Sequence, residues 1–281
     1  MLYYLLTGLS ALVSSLPAGP LQFFFWHLFG GLYEVSPKRK RIIQKNFRTL
    51  FPEKSDAEIK QISKNSFRHY GVLIHEFLLS SNLRGTKKIK FNINEREEYL
   101  QSAFASTKEG IILVSGHFGN WDLGGHYLLR FSGSKKVSVM ADSLGGGYGR
   151  FVKSTREKLG VGVIDSTKEI KKAYQALKNG EIVVIVFDRP LKGEPNVVFN
   201  GVPMRFPEGV ARLALETGAA CIFGAAYREP CDFIHAFSDE LFNPTTLKMD
   251  RKQLMQKLAE SFWKLIEKHP EQWYLFRDIK G

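Results

Sequence analysis

Between Met1 and Tyr33 the chain has no aspartate, glutamate, lysine or arginine. His27 is the only histidine there. A stretch so poor in charge does not read as an ordinary solvated surface element. Cysteine is nearly absent too: Cys221 and Cys231 are the only two, which excludes a disulfide-dense secreted scaffold and suits a reducing compartment. Two unpaired thiols are expected, with a bridge across a hairpin as the rival. No C-x-x-C pair or Cys/His cluster offers metal-ligand spacing, so no metal site is predicted. There is no G-x-S-x-G elbow, which argues against a covalent serine intermediate. The run Gly145-Gly146-Gly147-Tyr148-Gly149 lacks the G-K-[ST] ending of a phosphate loop and reads as a flexible turn. Internal repeats, low-complexity linkers and heptads are also missing.

What fills the charge-free stretch is apolar. Leu2 to Leu16 and Leu21 to Leu32 are divided by Pro17 and Pro20. Sixteen helical residues reach roughly 24 Å at 1.5 Å each, short of the ~30 Å hydrocarbon core. A bent span or re-entrant helical hairpin is therefore expected, with residues 1–35 as a membrane anchor and 36–281 as one catalytic domain. A buried pair of core helices is the competing reading. Basic residues follow at once: Lys38, Arg39, Lys40, Arg41, Lys45 and Arg48, with no acidic residue from Ser36 to Phe51. Such a collar favours a cytoplasmic position beside anionic lipid. A cleaved signal peptide would carry its positive charge before the apolar run instead.

The remainder has the composition of a globular domain, 44% hydrophobic and 24% charged. Its formal net charge of +12 points to anionic partners. An amphipathic helical stretch is expected over Asp56–Leu79. Strand signals follow at Ile111–Ser115, Val137–Met140, Val161–Ile164, Ile182–Phe187, Ala220–Tyr227 and Phe233–Phe237. Helical signals lie between them at Trp121–Phe131, Phe151–Leu159, Lys168–Lys178 and Pro207–Thr217, and a long helix closes the pattern at Asp250–Glu267. This alternation predicts an α/β fold: a mostly parallel central sheet flanked by helices. Met255, Leu258, Phe262 and Leu265 share the helix face expected to pack on that sheet.

The most informative stretch is Ser115-Gly116-His117-Phe118-Gly119-Asn120-Trp121-Asp122. It follows the apolar run Ile111-Ile112-Leu113-Val114, so His117 and Asp122 should emerge at the carboxyl end of a buried strand, where open α/β sheets place their chemistry. A carboxylate that fixes the imidazole tautomer leaves the other ring nitrogen free to take a proton from a hydroxyl. Gly116 and Gly119 remove bulk beside it. The plainer role for Asn120 or Asp122 is to cap the helix starting near Trp121. His126 and His235 read as structural or exposed.

The octapeptide resembles the H-x₄-D/E signature of the bacterial lipid A late acyltransferases, within the glycerolipid acyltransferase-like enzymes, which also include phosphatidylinositol mannoside acyltransferases. The resemblance extends to Asn46-Phe47, Val198-Phe199-Asn200-Gly201-Val202-Pro203, Gly209 to Ala214 with Thr217-Gly218-Ala219, and His269-Pro270-Glu271-Gln272-Trp273. It implies transfer of a fatty acyl group from acyl carrier protein or coenzyme A to a lipid hydroxyl at the cytoplasmic face of a bacterial inner membrane. It makes His117 the general base and Asp122 the acid that orients it. Arg156 and Asp188 match residues of the family's active-site region, and Asn120 joins them as a candidate substrate contact. Relatives often carry Arg-Pro after the second strand, where this chain has Ala141-Asp142.

No cofactor is called for beyond the thioester co-substrate. Backbone N–H groups of the glycine turn, or Arg156, are the candidate oxyanion donors. Arg205 is a candidate phosphate contact near the next helix's amino terminus. Acceptors left open are a lipid A precursor or related glycolipid, a lysophospholipid, an amino-acid lipid and a pigment ester. A basic membrane- or polyanion-binding protein without catalysis is the contrasting reading; a nucleic-acid reader lacks any recognisable motif.

Overall fold

The computed structural model describes residues 1–92, 96–142, 144–229 and 234–279. The chain begins with helices α1 (Leu2–Ser15), α2 (Ala18–Glu34), α3 (Pro37–Leu50), α4 (Asp56–Ser80) and α5 (Leu83–Thr86). Then come β1 (Phe91–Asn92), α6 (Arg96–Ser106), β2 (Ile111–Ser115), α7 (Trp121–Leu128), β3 (Val137–Ala141) and α8 (Gly146–Lys158). The central part continues with β4 (Gly162–Asp165), α9 (Ile170–Lys178), β5 (Ile182–Val186), β6 (Val197–Phe199), β7 (Val202–Met204) and α10 (Gly209–Thr217). Strands β8 (Ala220–Arg228) and β9 (Ile234–Ser238), helix α11 (Arg251–Lys268) and a 3₁₀ turn at Pro270–Gln272 complete it.

Seven strands form one sheet in the order β1-β9-β8-β2-β5-β3-β4, parallel throughout except for the β8–β9 pair. β2 sits at its centre, with Leu113 in register with Val184 of β5 and Ile222 of β8. Both faces of these strands are apolar because both are covered. Ile112 and Val114 join the core that contains Leu258 and Phe262 of α11. Ile111 and Leu113 face the cluster that holds Tyr127 and Leu128 of α7. The expected α11 face is buried in full: Met255, Leu258 and Phe262 have no exposed surface and Leu265 almost none.

Local chemistry explains where elements start and stop. Capping boxes open α4 (Ser55 with Glu58) and α11 (Asp250 with Gln253). The 198–207 segment, open between hairpin and loop on sequence grounds, is the β6–β7 hairpin. Asn200 (φ 46°) and Gly201 (φ 75°) at its tip are both left-handed, as a type I′ turn requires.

One expectation changes. The glycine run is no loose turn, because α8 starts at Gly146 and carries Gly147 and Gly149 in its first turn. The basic collar is helical along α3. At the amino terminus, α1 and α2 lie against α4, and no helix among the described residues is long and apolar enough to cross a membrane. Cys221 is buried and free; Cys231 lies outside the described residues.

Candidate active site

The carboxyl end of β2 delivers His117 into a loop held from several sides. Phe118 is fully buried and bridges to Trp273. Gly119 donates its N–H to the Gln272 carbonyl at 2.9 Å, and Asn120 donates its own to the Ala226 carbonyl at 2.8 Å. Gly119 has φ +55°, and a Cβ there would lie 2.0 Å from the Ala226 oxygen, so only glycine fits. Tyr274 closes the loop: its N–H donates to the His117 carbonyl and its hydroxyl to the Gly119 carbonyl.

The acid partner of His117 is Asp188, at the end of β5. Its Oδ1 lies 2.7 Å from His117 Nδ1, and its Oδ2 accepts from the His117 backbone N–H at 2.9 Å. Oδ2 also accepts from the Trp273 indole N–H at 2.7 Å. Burial alone would raise this carboxyl. The charge and hydrogen bond of His117, with the indole and backbone donors, outweigh it and hold Asp188 below the usual aspartate range. An ionised carboxylate can only accept, so Nδ1 carries the proton of the neutral ring and Nε2 is left as the basic atom. The His117 side chain is 28% exposed against 2% for Asp188, so the imidazole is reachable from solvent and the carboxylate beside it is sealed.

This corrects the expected pairing of His117 with Asp122. Asp122 lies in the first turn of α7, where a negative charge suits the helix dipole. From there it turns to α8: its Oδ1 accepts from Arg156 Nε at 2.7 Å, and both side chains are largely covered. The H-x₄-D spacing thus serves two pairs, His117 with Asp188 and Asp122 with Arg156. Trp121 stands between them, its ring centroid 5.1 Å from that of His117. With Asp122 and Arg156 it walls one apolar crevice floored by Val139, Val184 and Val186. A second apolar pocket, of about 40 Å³, also has Trp121 in its wall and lies between α7 and β2, lined by Leu113, Ser115, Leu128 and Phe237 among others.

Two other candidates stand elsewhere. Asn120 is buried and spent internally: its Oδ1 caps α7 at the Leu123 N–H, and its Nδ2 donates to Glu76 at 2.7 Å. Capping, not substrate contact, is its structural position. Arg205 follows β7, half-buried, and its guanidinium donates to the Glu194 carbonyl; no contact joins it to His117 among the described residues.

Sequence reasoning missed Trp273 and the buried Glu76, which pairs with Arg228 as well as Asn120. Trp273 sat inside the quoted His269–Trp273 block but carried no role. Glu76 gives no local signal, because one acid in an amphipathic helix usually faces water.

Residues 1–278 match the model of the family described as bacterial lipid A biosynthesis acyltransferase, and the chain belongs to that family. Similar proteins include the phosphatidylinositol mannoside acyltransferase of Mycobacterium tuberculosis (strain ATCC 25618 / H37Rv), 29% identical over 188 residues, which cover 64% of this chain and 57% of the relative. That of Mycolicibacterium smegmatis (strain ATCC 700084 / mc(2)155) is also 29% identical over 188 residues, 64% of this chain and 59% of its own. The matched stretch thus spans less than two thirds of the length of these curated relatives.

Proposed function

We propose that this member of the bacterial lipid A biosynthesis acyltransferase family moves a fatty acyl group from a thioester of acyl carrier protein or coenzyme A to a lipid hydroxyl. A glycolipid or lipid A precursor is the acceptor class this reading favours. The observation that carries it is an imidazole locked by a buried carboxylate at Nδ1 and reachable from solvent.

In this mechanism Nε2 of His117 takes the acceptor's hydroxyl proton as the oxygen attacks the thioester carbon. Asp188 stabilises the imidazolium that forms. The tetrahedral oxyanion collapses, the carbon–sulfur bond breaks, and the leaving thiolate takes the proton from His117. The backbone N–H groups of His117, Gly119 and Asn120 already donate within the protein, which leaves Arg156 as the favoured oxyanion donor. Its Nε holds Asp122, and the residue lines the crevice beside Trp121. The apolar pocket beside Trp121 suits a hydrocarbon chain. No step calls for a metal or redox cofactor.

The test is thiol release by the purified chain with a glycolipid acceptor and acyl thioesters, with mass spectrometry of the product. His117→Ala should lose at least about 10²-fold in turnover while remaining folded. Unchanged turnover in that variant would remove His117 as the base.

A further inference from the structure

We propose that Glu76, buried in α4, is a positioning residue for the His117–Asp188 pair, which it braces from behind along two arms. The first arm is short. Asn120 Nδ2 donates to Glu76 Oε2 at 2.7 Å, while Asn120 Oδ1 accepts from the Leu123 N–H at 3.0 Å. Asn120 stands between the His117 loop and Trp121, whose ring meets the His117 ring edge-on. The second arm passes through Arg228 at the end of β8. Its guanidinium pairs with Glu76 Oε1. Its backbone N–H and carbonyl clamp the Gln272 side-chain amide at 2.8 and 2.6 Å. The Gln272 carbonyl accepts the Gly119 N–H, and the next residue, Trp273, donates its indole N–H to Asp188. One carboxylate thus supports both the loop that carries the base and the turn that carries the indole. Its mount is firm. Ser66 lies ten positions earlier on the same helix, about three turns away on the same face, and its hydroxyl donates to the Trp273 carbonyl at 3.2 Å.

Glu76 does not work by touching a substrate. The pocket bordered by Glu76, Asn120, Arg228 and Gln272 holds about 10 Å³, room for roughly one water. What matters is hydrogen-bond polarity. Both groups that meet the carboxylate are donors. Asn120 presents its amide N–H because its oxygen is taken by the helix cap, and a guanidinium can only donate. A carboxylate accepts at both oxygens, whereas an amide of the same shape accepts at one and opposes the other donor with its own N–H. Glu76→Gln therefore leaves one buried donor facing another. Asn120→Asp fails for the opposite reason, since it sets a second carboxylate against Glu76. Together the two changes are complementary. In the double variant the amide at position 76 accepts from Arg228 and donates to the carboxylate at position 120. That carboxylate still caps α7, and the net charge of the cluster is unchanged.

The experiment compares the full natural chain with Glu76→Gln, Asn120→Asp and the double variant by two readouts. Nitrogen-15 spectra of the histidine rings, taken where the ring is neutral, report the His117 tautomer; its signals are assigned by their loss in His117→Ala. The natural chain should show Nδ1 protonated and Nε2 bare. Each single variant should move these signals toward a mixture of tautomers. Each should also lower kcat for thiol release by about 10- to 10²-fold with KM little changed. The double variant should regain the native tautomer and most of the turnover. Glu76→Asp keeps both acceptors on a side chain one methylene shorter, should give an intermediate loss, and serves where a single variant does not fold. Native tautomer and kcat in the single variants would overturn the proposal. So would a lower melting temperature with the His117 signals unmoved, or a double variant no better than the worse single one. Only the kinetic readout rests on the acyl-transfer reading. A natural chain that releases no thiol would count against that reading, and the ring nitrogens would still decide this inference.

Discussion

His117 and Asp188 are 71 positions apart in sequence and 2.7 Å apart in the fold, joined through Nδ1 and Oδ1. The same carboxylate also holds the His117 backbone, so ring and main chain are fixed together. Asp188→Asn would keep the shape but present an amide, which favours the wrong imidazole tautomer. Turnover by thiol release at saturating substrate should fall by about 10²–10⁴-fold with little change in KM. The acidic limb of the pH–rate profile, where the base becomes protonated, should shift in the same variant, which a purely structural role would not cause. A variant with native kcat would show that the carboxylate is dispensable to the base.

The sheet was legible because strand and helix signals alternate with clear punctuation. Ile182–Phe187 and Gly218, the latter left-handed at the end of α10, are examples where local chemistry decides the boundary. The pairing inside the octapeptide was not legible. Five positions along the chain look close, but α7 begins between His117 and Asp122 and turns the second residue toward α8. Asp188 comes close only because β5 is the parallel neighbour of β2, with Val186 in register with Ser115. Long-range register of this kind leaves no trace in local spacing. Trp273 arrives from still further off, carried in by the 3₁₀ turn after α11.

Asp122 and Arg156 form a covered ion pair, each side chain about one-eighth exposed. Removing one partner strands the other. Asp122→Leu or Arg156→Met alone should therefore cost about 3–5 kcal/mol of stability, and the double variant markedly less than the sum. Urea denaturation of the four proteins gives the coupling directly. Additive losses would mean that the pair is not a unit. If Arg156 also serves the oxyanion, the double variant recovers stability but not turnover.

Gly119→Ala tests the loop that presents His117. The left-handed backbone disfavours alanine by about 1–2 kcal/mol, and the added methyl would strike the Ala226 carbonyl as well. The expected result is a stability loss above about 2 kcal/mol, with turnover falling further as His117 shifts from Asp188. Thermal melts and thiol release measured in parallel decide it. Native behaviour in both would mean that the loop tolerates a different path.

His75 provides a pH prediction. It is buried in α4 against Phe25 of α2, with neither ring nitrogen hydrogen-bonded. Burial, helped by the charges of Arg228 and Lys88, lowers its pKa from 6.5 to about 4. Below 6.5 the unfolded chain therefore takes up a proton that the folded state refuses until about pH 4. Stability from the neutral ring is complete above pH 6.5 and is lost as the pH falls toward 4, amounting to about 3 kcal/mol over the window. His75→Leu removes the titration while keeping an apolar side chain of similar size, with no hydrogen bond to lose. The melting temperature of the natural chain should drop relative to His75→Leu between pH 6.5 and 4.5, and the two curves should run parallel above pH 7. Parallel curves throughout would show that this imidazole can be protonated in place, and that the α2–α4 contact yields enough to hydrate it.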